Sequence, residues 1–214
     1  MTINTVIFDL DGTLLYTIED LTDSTNYALE QFNYPKRTIE EITNFVGNGV
    51  HLLIERALPQ GKDDPNFDEC LKIFKEHYSQ NMFNKTKPYD GIIDMLKSMK
   101  SQGYNTAVVS NKFDSAVKEL CKTYFNGLID SAIGQRDNVA KKPAPDSILE
   151  VLKELGATKE ECIFVGDSEV DIQTAENAGI PCLSVTWGYK SIDFLYKNGA
   201  ETLIYSPEEI LELV

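Results

Sequence analysis

The sequence predicts an α/β protein: a doubly wound parallel sheet with a helical segment inserted after its first strand. Three observations carry this. Short apolar runs such as Val6-Ile7-Phe8, Ala107-Val108-Val109 and Cys162 to Val165 read as buried parallel strands. Helix-period segments alternate with those runs from Gly91 onward, and repeated strand–helix–strand units call for parallel strands joined by crossovers. Residues 16–85, in contrast, show helical spacing and no strand signal. The domains expected are therefore a core of residues 1–15 and 86–214 and a helical insert of residues 16–85.

Taken in order, the first strand runs into Asp9-Leu10-Asp11-Gly12-Thr13. In a strand, residues i and i+2 share a face, so Asp9 and Asp11 project together, about 6.6 Å apart. That gap suits a tetrahedral phosphorus, with one carboxylate attacking and the other facing the leaving oxygen. Gly12 lets the chain turn sharply and approach a ligand with bare backbone. The plainer reading is an Asp-Gly turn, but two carboxylates in register repel each other without a cation.

The insert opens at Thr17, an N-cap for a helix carrying Leu21, Ala28, Leu29 and Phe32. Thr38 to Glu41 has the spacing of a capping box for a second helix. A third follows Gly47-Asn48-Gly49, and a fourth carries Phe67, Leu71, Phe74 and Tyr78. In the core, helices are expected from Ile92 to before Gly103, from Phe113 to Tyr124, from Pro145 to Leu155 and from Asp171 to Ala178. Short ones come after these at 192–197 and 207–213. Strands are expected at 104–110, 162–165, 182–187 and 202–205. Ligands of such sheets sit at the carboxyl ends of the strands.

Composition narrows the function. A net charge of −14 disfavours nucleic acid and anionic membrane surfaces, both of which need a basic footprint. An anionic substrate must then be captured locally, by a metal and a few cations. Cys70, Cys121, Cys162 and Cys182 are scattered without metal-ligand spacing and read as thiols of a reducing compartment. Neither a signal peptide nor a membrane span is visible, so a cytoplasmic protein is expected.

Three further stretches stand where strands are expected to end. Ser110-Asn111-Lys112 offers a hydroxyl and an amide to an anion, or simply caps the next helix. Lys142 precedes Pro143 and Pro145, which hold it on a stiff, extended segment as a fixed point charge; alternatively it lies in a solvated basic loop. Gly166-Asp167-Ser168-Glu169-Val170-Asp171 places two carboxylates after an apolar strand, as a hard-cation site or as helix-capping aspartates.

Together these stretches resemble, in order, the four motifs of the haloacid dehalogenase superfamily of phosphotransferases. The resemblance spans residues 9 to 171. It implies a Mg²⁺-dependent phosphomonoester hydrolase with Asp9 as nucleophile and Asp11 as general acid and base. Ser110 and Lys142 would hold the phosphoryl group, with Gly12, Thr13 and Asn111 beside it. Asp9, Asp11 through its carbonyl, Asp167 and Asp171 would bind or support the metal. The insert, entering beside Asp11, would be a small cap over the site. Its Phe45 to Gly49 stretch, with Arg56 beyond, resembles phosphoglycolate phosphatases more weakly, placing Asn48 and Arg56 as substrate contacts. The expected substrate is a small phosphorylated metabolite of phosphoglycolate type, handled by a monomer or homodimer. A sugar phosphomutase, a pyrophosphatase or a nucleotidase of the same fold stays open. Tyr16 stands where the family pattern has Asp, and Thr17 is expected to take over the capping there.

Overall fold

The computed structural model describes residues 3–137 and 139–214. In chain order its elements are β1 (Thr5–Phe8), β2 (Leu15–Tyr16), α1 (Ile18–Glu30), α2 (Ile39–Phe45), α3 (Val50–Ala57), α4 (Phe67–Asn81) and β3 (Lys87–Pro88). Then come α5 (Ile92–Ser101), β4 (Asn105–Phe113), α6 (Asp114–Tyr124), β5 (Ser131–Gln135), α7 (Asp146–Leu155) and β6 (Cys162–Gly166). The chain closes with α8 (Glu169–Ala178), β7 (Cys182–Val185), α9 (Ile192–Lys197), β8 (Leu203–Ile204) and α10 (Pro207–Leu213). Two compact units result, one of the residues up to Leu15 with Pro88–Val214, the other of Tyr16–Lys87.

The first unit is built on a six-stranded sheet in the order β5-β4-β1-β6-β7-β8, parallel at every pairing. This is the doubly wound α/β architecture that the alternating pattern predicts. Ile7, Ala107, Val109, Ile133 and Phe164 pack one face against Ile148, Val151 and Leu152 of α7 and Ala175 and Ala178 of α8. The alternate residues Val6, Phe8, Val108 and Val165 are also buried, so both faces are covered, as a parallel sheet requires. Strand register decides which side chains meet at the sheet's edge. Phe8 lies beside Val108 on one neighbour and Val165 on the other. Asp9, the first residue past β1, is therefore level with Val109 of β4 and Gly166 of β6.

Several local expectations are corrected. β4 does not stop at Ser110 but runs on to Phe113, so Asn111 and Lys112 are strand residues rather than the opening of a helix. β5 carries too little apolar signal to be seen in the sequence: Ser131, Gly134 and Gln135 interrupt it, and it is an edge strand. Pro145 is the N-cap of α7, not its first residue. Helix α8 starts before Asp171, because Ser168 and Asp171 form a capping box.

In the second unit α1 packs on α4 and α2, and α3 packs on α2 and α4. Thr38 and Glu41 make the expected capping box. Thr17 holds the N-cap position of α1 without a side-chain cap bond, so it does not replace the missing Asp at Tyr16 in that way. Asp20, in the first turn, ties the two ends of this unit together. Its buried carboxylate accepts the Lys85 and Thr86 backbone N–H groups at 3.0 and 2.9 Å and the Thr86 hydroxyl at 2.8 Å. Among the described residues no helix is long and apolar enough to cross a membrane.

Replacing Asp20 strands two backbone donors. Asp20→Ala is expected to lower unfolding free energy in urea by about 2–3 kcal/mol. A loss below about 0.5 kcal/mol, the level of an ordinary surface change, would show that water replaces the carboxylate.

Candidate active site

β1 ends at Phe8, and the Asp9 N–H still reaches the Val165 carbonyl at 2.9 Å, which pins Asp9 at the sheet edge. The chain then folds over. The Leu10 carbonyl accepts the N–H groups of Thr13, Leu14 and Leu15. Asp9 and Asp11 thus both lie just past β1, Asp9 still bonded to β6 and Asp11 within the turn that follows. They are held by different cations. Lys142 Nζ bonds Asp9 Oδ1 at 2.6 Å, whereas Lys112 Nζ bonds Asp11 Oδ1 and Oδ2 at 2.9 and 3.0 Å.

Lys142 also bonds Asp171 Oδ1 at 2.7 Å and lies 5.3 Å from the Phe164 ring centroid. It is no solvated basic residue: its side chain is 3% exposed. The segment carrying it is not extended. Ala144 N–H closes a turn onto the Lys141 carbonyl, and the Lys142–Pro143 bond is cis. Asn111 Nδ2 donates to the Lys142 carbonyl at 3.0 Å, so this amide anchors the lysine's backbone from the adjacent strand.

Asp167 follows β6 and accepts the Tyr189 N–H on Oδ2 at 2.7 Å. Glycines let backbone close around these carboxylates. A Cβ at Gly188 or Gly12 would strike the Asp167 side chain, and one at Gly166 would strike Asp171. Gly12 has φ +88°, which L side chains rarely adopt. Its N–H is bonded to the Leu15 carbonyl, so it shapes the turn rather than offering a free donor. Asp171 has Oδ1 on Lys142 and Oδ2 on the Ser168 N–H and hydroxyl, so it buttresses the lysine and caps α8.

Ser110 is buried at the same edge, and its Oγ accepts the Lys112 N–H at 3.3 Å. The Thr13 hydroxyl is buried and meets no hydrogen-bond partner among the described residues. The Thr13 carbonyl accepts Trp187 Nε1 at 3.0 Å. Asn48 and Arg56 belong to the other unit. Asn48 lies in the α2–α3 loop, and exposed Arg56 donates from Nη1 to the Phe45 carbonyl at 2.7 Å, which fixes that loop.

Asp9, Asp167 and Asp171 each present a carboxylate oxygen within 4.8 Å of the others, all buried. Burial pushes the Asp9 carboxyl up to about 7, with Asp171 and Asp11 adding and Lys142 opposing. Burial likewise raises Asp167 well above the usual carboxylate range, with Asp171 and Asp9 adding and the Tyr189 N–H opposing. The donor set therefore fits a hard divalent cation: oxygens only, buried, with more negative charge than Lys142 offsets.

Sequence reasoning does not single out Lys112, Trp187, Gly188 or Tyr189. Only Lys112 leaves a signal, since it stands two residues past Ser110 and shares its strand face once β4 is extended.

The haloacid dehalogenase-like hydrolase family model matches residues 6–185. A phosphoglycolate phosphatase of Mesorhizobium japonicum is 35% identical over 86% of this chain and 83% of its own length. One of Aquifex aeolicus is 32% identical over 88% and 87%. The crystal structure of a Lactobacillus delbrueckii subsp. bulgaricus protein, provisionally named phosphoglycolate phosphatase, superposes with a TM-score of 0.94 at 36% identity, covering 100% of this chain and 98% of that one.

An acid whose pKa is raised by folding holds a proton that the unfolded chain has already lost. Ionising Asp9 should then weaken the cation-free protein as pH rises from its ordinary 3.8 toward about 7. In excess chelator, Asp9→Asn should melt higher than the parent above pH 7, with the gap closing toward pH 4. A lower melting temperature at every pH would mean that the Asp9–Lys142 pair outweighs burial.

Proposed function

The chain belongs to the haloacid dehalogenase-like hydrolases, and on that footing we propose that it is a Mg²⁺-dependent phosphomonoester hydrolase acting on a small phosphorylated metabolite of phosphoglycolate type. The observation that carries this is the buried Asp9 carboxylate, gripped by Lys142 within the Asp9–Asp167–Asp171 cluster at the sheet edge. The names of the related phosphoglycolate phosphatases support the substrate class.

In this mechanism an Asp9 oxygen attacks phosphorus. The new oxygen–phosphorus bond forms as the ester bond breaks, and Asp11 gives its proton to the departing alkoxide. Water then loses a proton to Asp11 and attacks the same phosphorus, which releases phosphate and frees Asp9. Lys142 orients the nucleophile and stays fixed through both steps, because Asp171 and Asn111 hold its two ends. The buried Ser110 and Thr13 hydroxyls would donate to phosphoryl oxygens. Bound Mg²⁺ offsets charge shared by the phosphoryl group and the carboxylates; Asp9, Asp167 and the Asp11 carbonyl would hold it. Asp171, whose oxygens also bond Lys142 and Ser168, would support that metal or its waters.

A panel of small phosphoesters tests the proposal. Phosphate release should be fastest from small carboxylated or polyol phosphates, 2-phosphoglycolate first, and Asp9→Asn should lower it by roughly 10³-fold or more with an unchanged circular dichroism spectrum. Near-parental turnover by the substituted protein would remove Asp9 from the nucleophile role, and preference for phosphoproteins would overturn the substrate class.

Removing divalent cations should abolish turnover, Mg²⁺ should restore it, and Ca²⁺ should do so poorly because it favours looser, higher coordination. Full activity after verified metal removal would contradict the cation's place in the site.

A further inference from the structure

We propose that Lys112 is a positioning residue for Asp11, setting the orientation of its carboxylate for proton transfer; this rests on the phosphatase reading above. Three observations meet here. First, Lys112 Nζ contacts both Asp11 oxygens, at 2.9 and 3.0 Å, so the carboxylate is fixed in rotation as well as position. Second, the lysine side chain is 3% exposed while Asp11 is 18% exposed. An ammonium buried that far is costly unless it is well paired, so this is no ordinary surface ion pair. Third, the backbone is built to deliver it. The pairing of β4 with β5 shifts register between Val109 and Phe113, the stretch that contains Lys112. Opposite that irregularity stands Gly134. A Cβ there would lie 2.7 Å from the Lys112 carbonyl oxygen and 2.5 Å from Asp114 Cα. The Gly134 N–H is bonded to Asp114 Oδ1 at 2.9 Å, which locks the neighbouring strand against the same turn.

The two lysines divide the work. Lys142 holds Asp9 and Asp171, the side of the site where the bond to phosphorus forms. Lys112 holds Asp11, the side where a proton moves to the leaving oxygen. Removing Lys112 should leave phosphoryl capture intact and harm the step that needs an aimed Asp11. That step matters most when the leaving group is a poor one. An alkoxide must be protonated as it departs, whereas p-nitrophenolate leaves without help.

The test compares Lys112→Met, Lys112→Arg and the parent, each with Mg²⁺, on 2-phosphoglycolate and on p-nitrophenyl phosphate. The constant kcat/KM reports the steps through the first bond cleavage. Lys112→Met should lose about 10²-fold on the alkyl ester but no more than about threefold on the aryl ester. Inhibition by inorganic phosphate should be unchanged, and Lys112→Arg should recover part of the alkyl-ester activity. Equal losses on both esters, with weaker inhibition by phosphate, would overturn the proposal and place Lys112 on the phosphoryl group. Equal losses with a lowered melting temperature and unchanged inhibition would also overturn it, leaving a structural role. A parent enzyme that cleaves neither ester would overturn the phosphatase reading, and this one with it.

Discussion

The structure turns on one electrostatic constraint: three carboxylates share a buried spot at the end of a sheet, with one buried lysine among them. Asp9, Asp167 and Asp171 sit within 4.8 Å of each other, and Lys142 bonds two of them. Carboxylates this close and this dry cannot all stay ionised at low cost, and burial raises both Asp9 and Asp167. Such an arrangement reduces stability unless something positive enters it. It persists because the surrounding backbone leaves the side chains nowhere else to go. Gly12, Gly166 and Gly188 bring main chain to within contact of Asp167 and Asp171, and the Tyr189 N–H fixes one Asp167 oxygen.

Parallel pairing supplies the convergence. β4, β1 and β6 are neighbours in register, so Asp9 comes level with Val109 and Gly166, one residue short of Ser110 and Asp167, although these lie far apart in sequence. The crossover before α7 brings Lys142 to the same edge, where Asn111 holds its carbonyl. Strand ends thus set the positions of the charged groups, and the loops only decide which way each one faces.

Much of this is legible in the sequence, for physical reasons that can be named. Asp9 and Asp167 each follow a fully apolar run, and a carboxylate at the end of a buried strand has few structural explanations. Lys142 stands out by its prolines, although its segment is a turn. Other residues are hidden because a strand boundary is weakly encoded. Ser110-Asn111-Lys112 is polar and reads as a strand end, yet β4 continues through it, supported by β5, whose own Ser131, Gly134 and Gln135 conceal it. With the boundary misplaced, Lys112 looks like a helix-start lysine rather than the partner of Asp11. Asp171 reads as metal support; its bond to Lys142, beside its capping of α8, has no local signature. Arg56 is named by a weak resemblance alone, and its bond to the Phe45 carbonyl is not legible in the sequence. The Trp187 bond to Thr13 joins residues distant in sequence and has no local signature.

The central claim is that phosphorus passes through Asp9 before it meets water. The stereochemical course at phosphorus tests this most directly, because it does not depend on any intermediate accumulating. A phosphorothioate monoester made chiral at phosphorus with ¹⁶O and ¹⁸O is hydrolysed in ¹⁷O-water, and the configuration of the released thiophosphate, whose sulfur and three oxygen isotopes all differ, is read by NMR. Two successive in-line displacements, first by Asp9 and then by water, predict overall retention. Overall inversion would mean that water attacks the ester in a single step, and Asp9 would then have to serve as something other than the nucleophile.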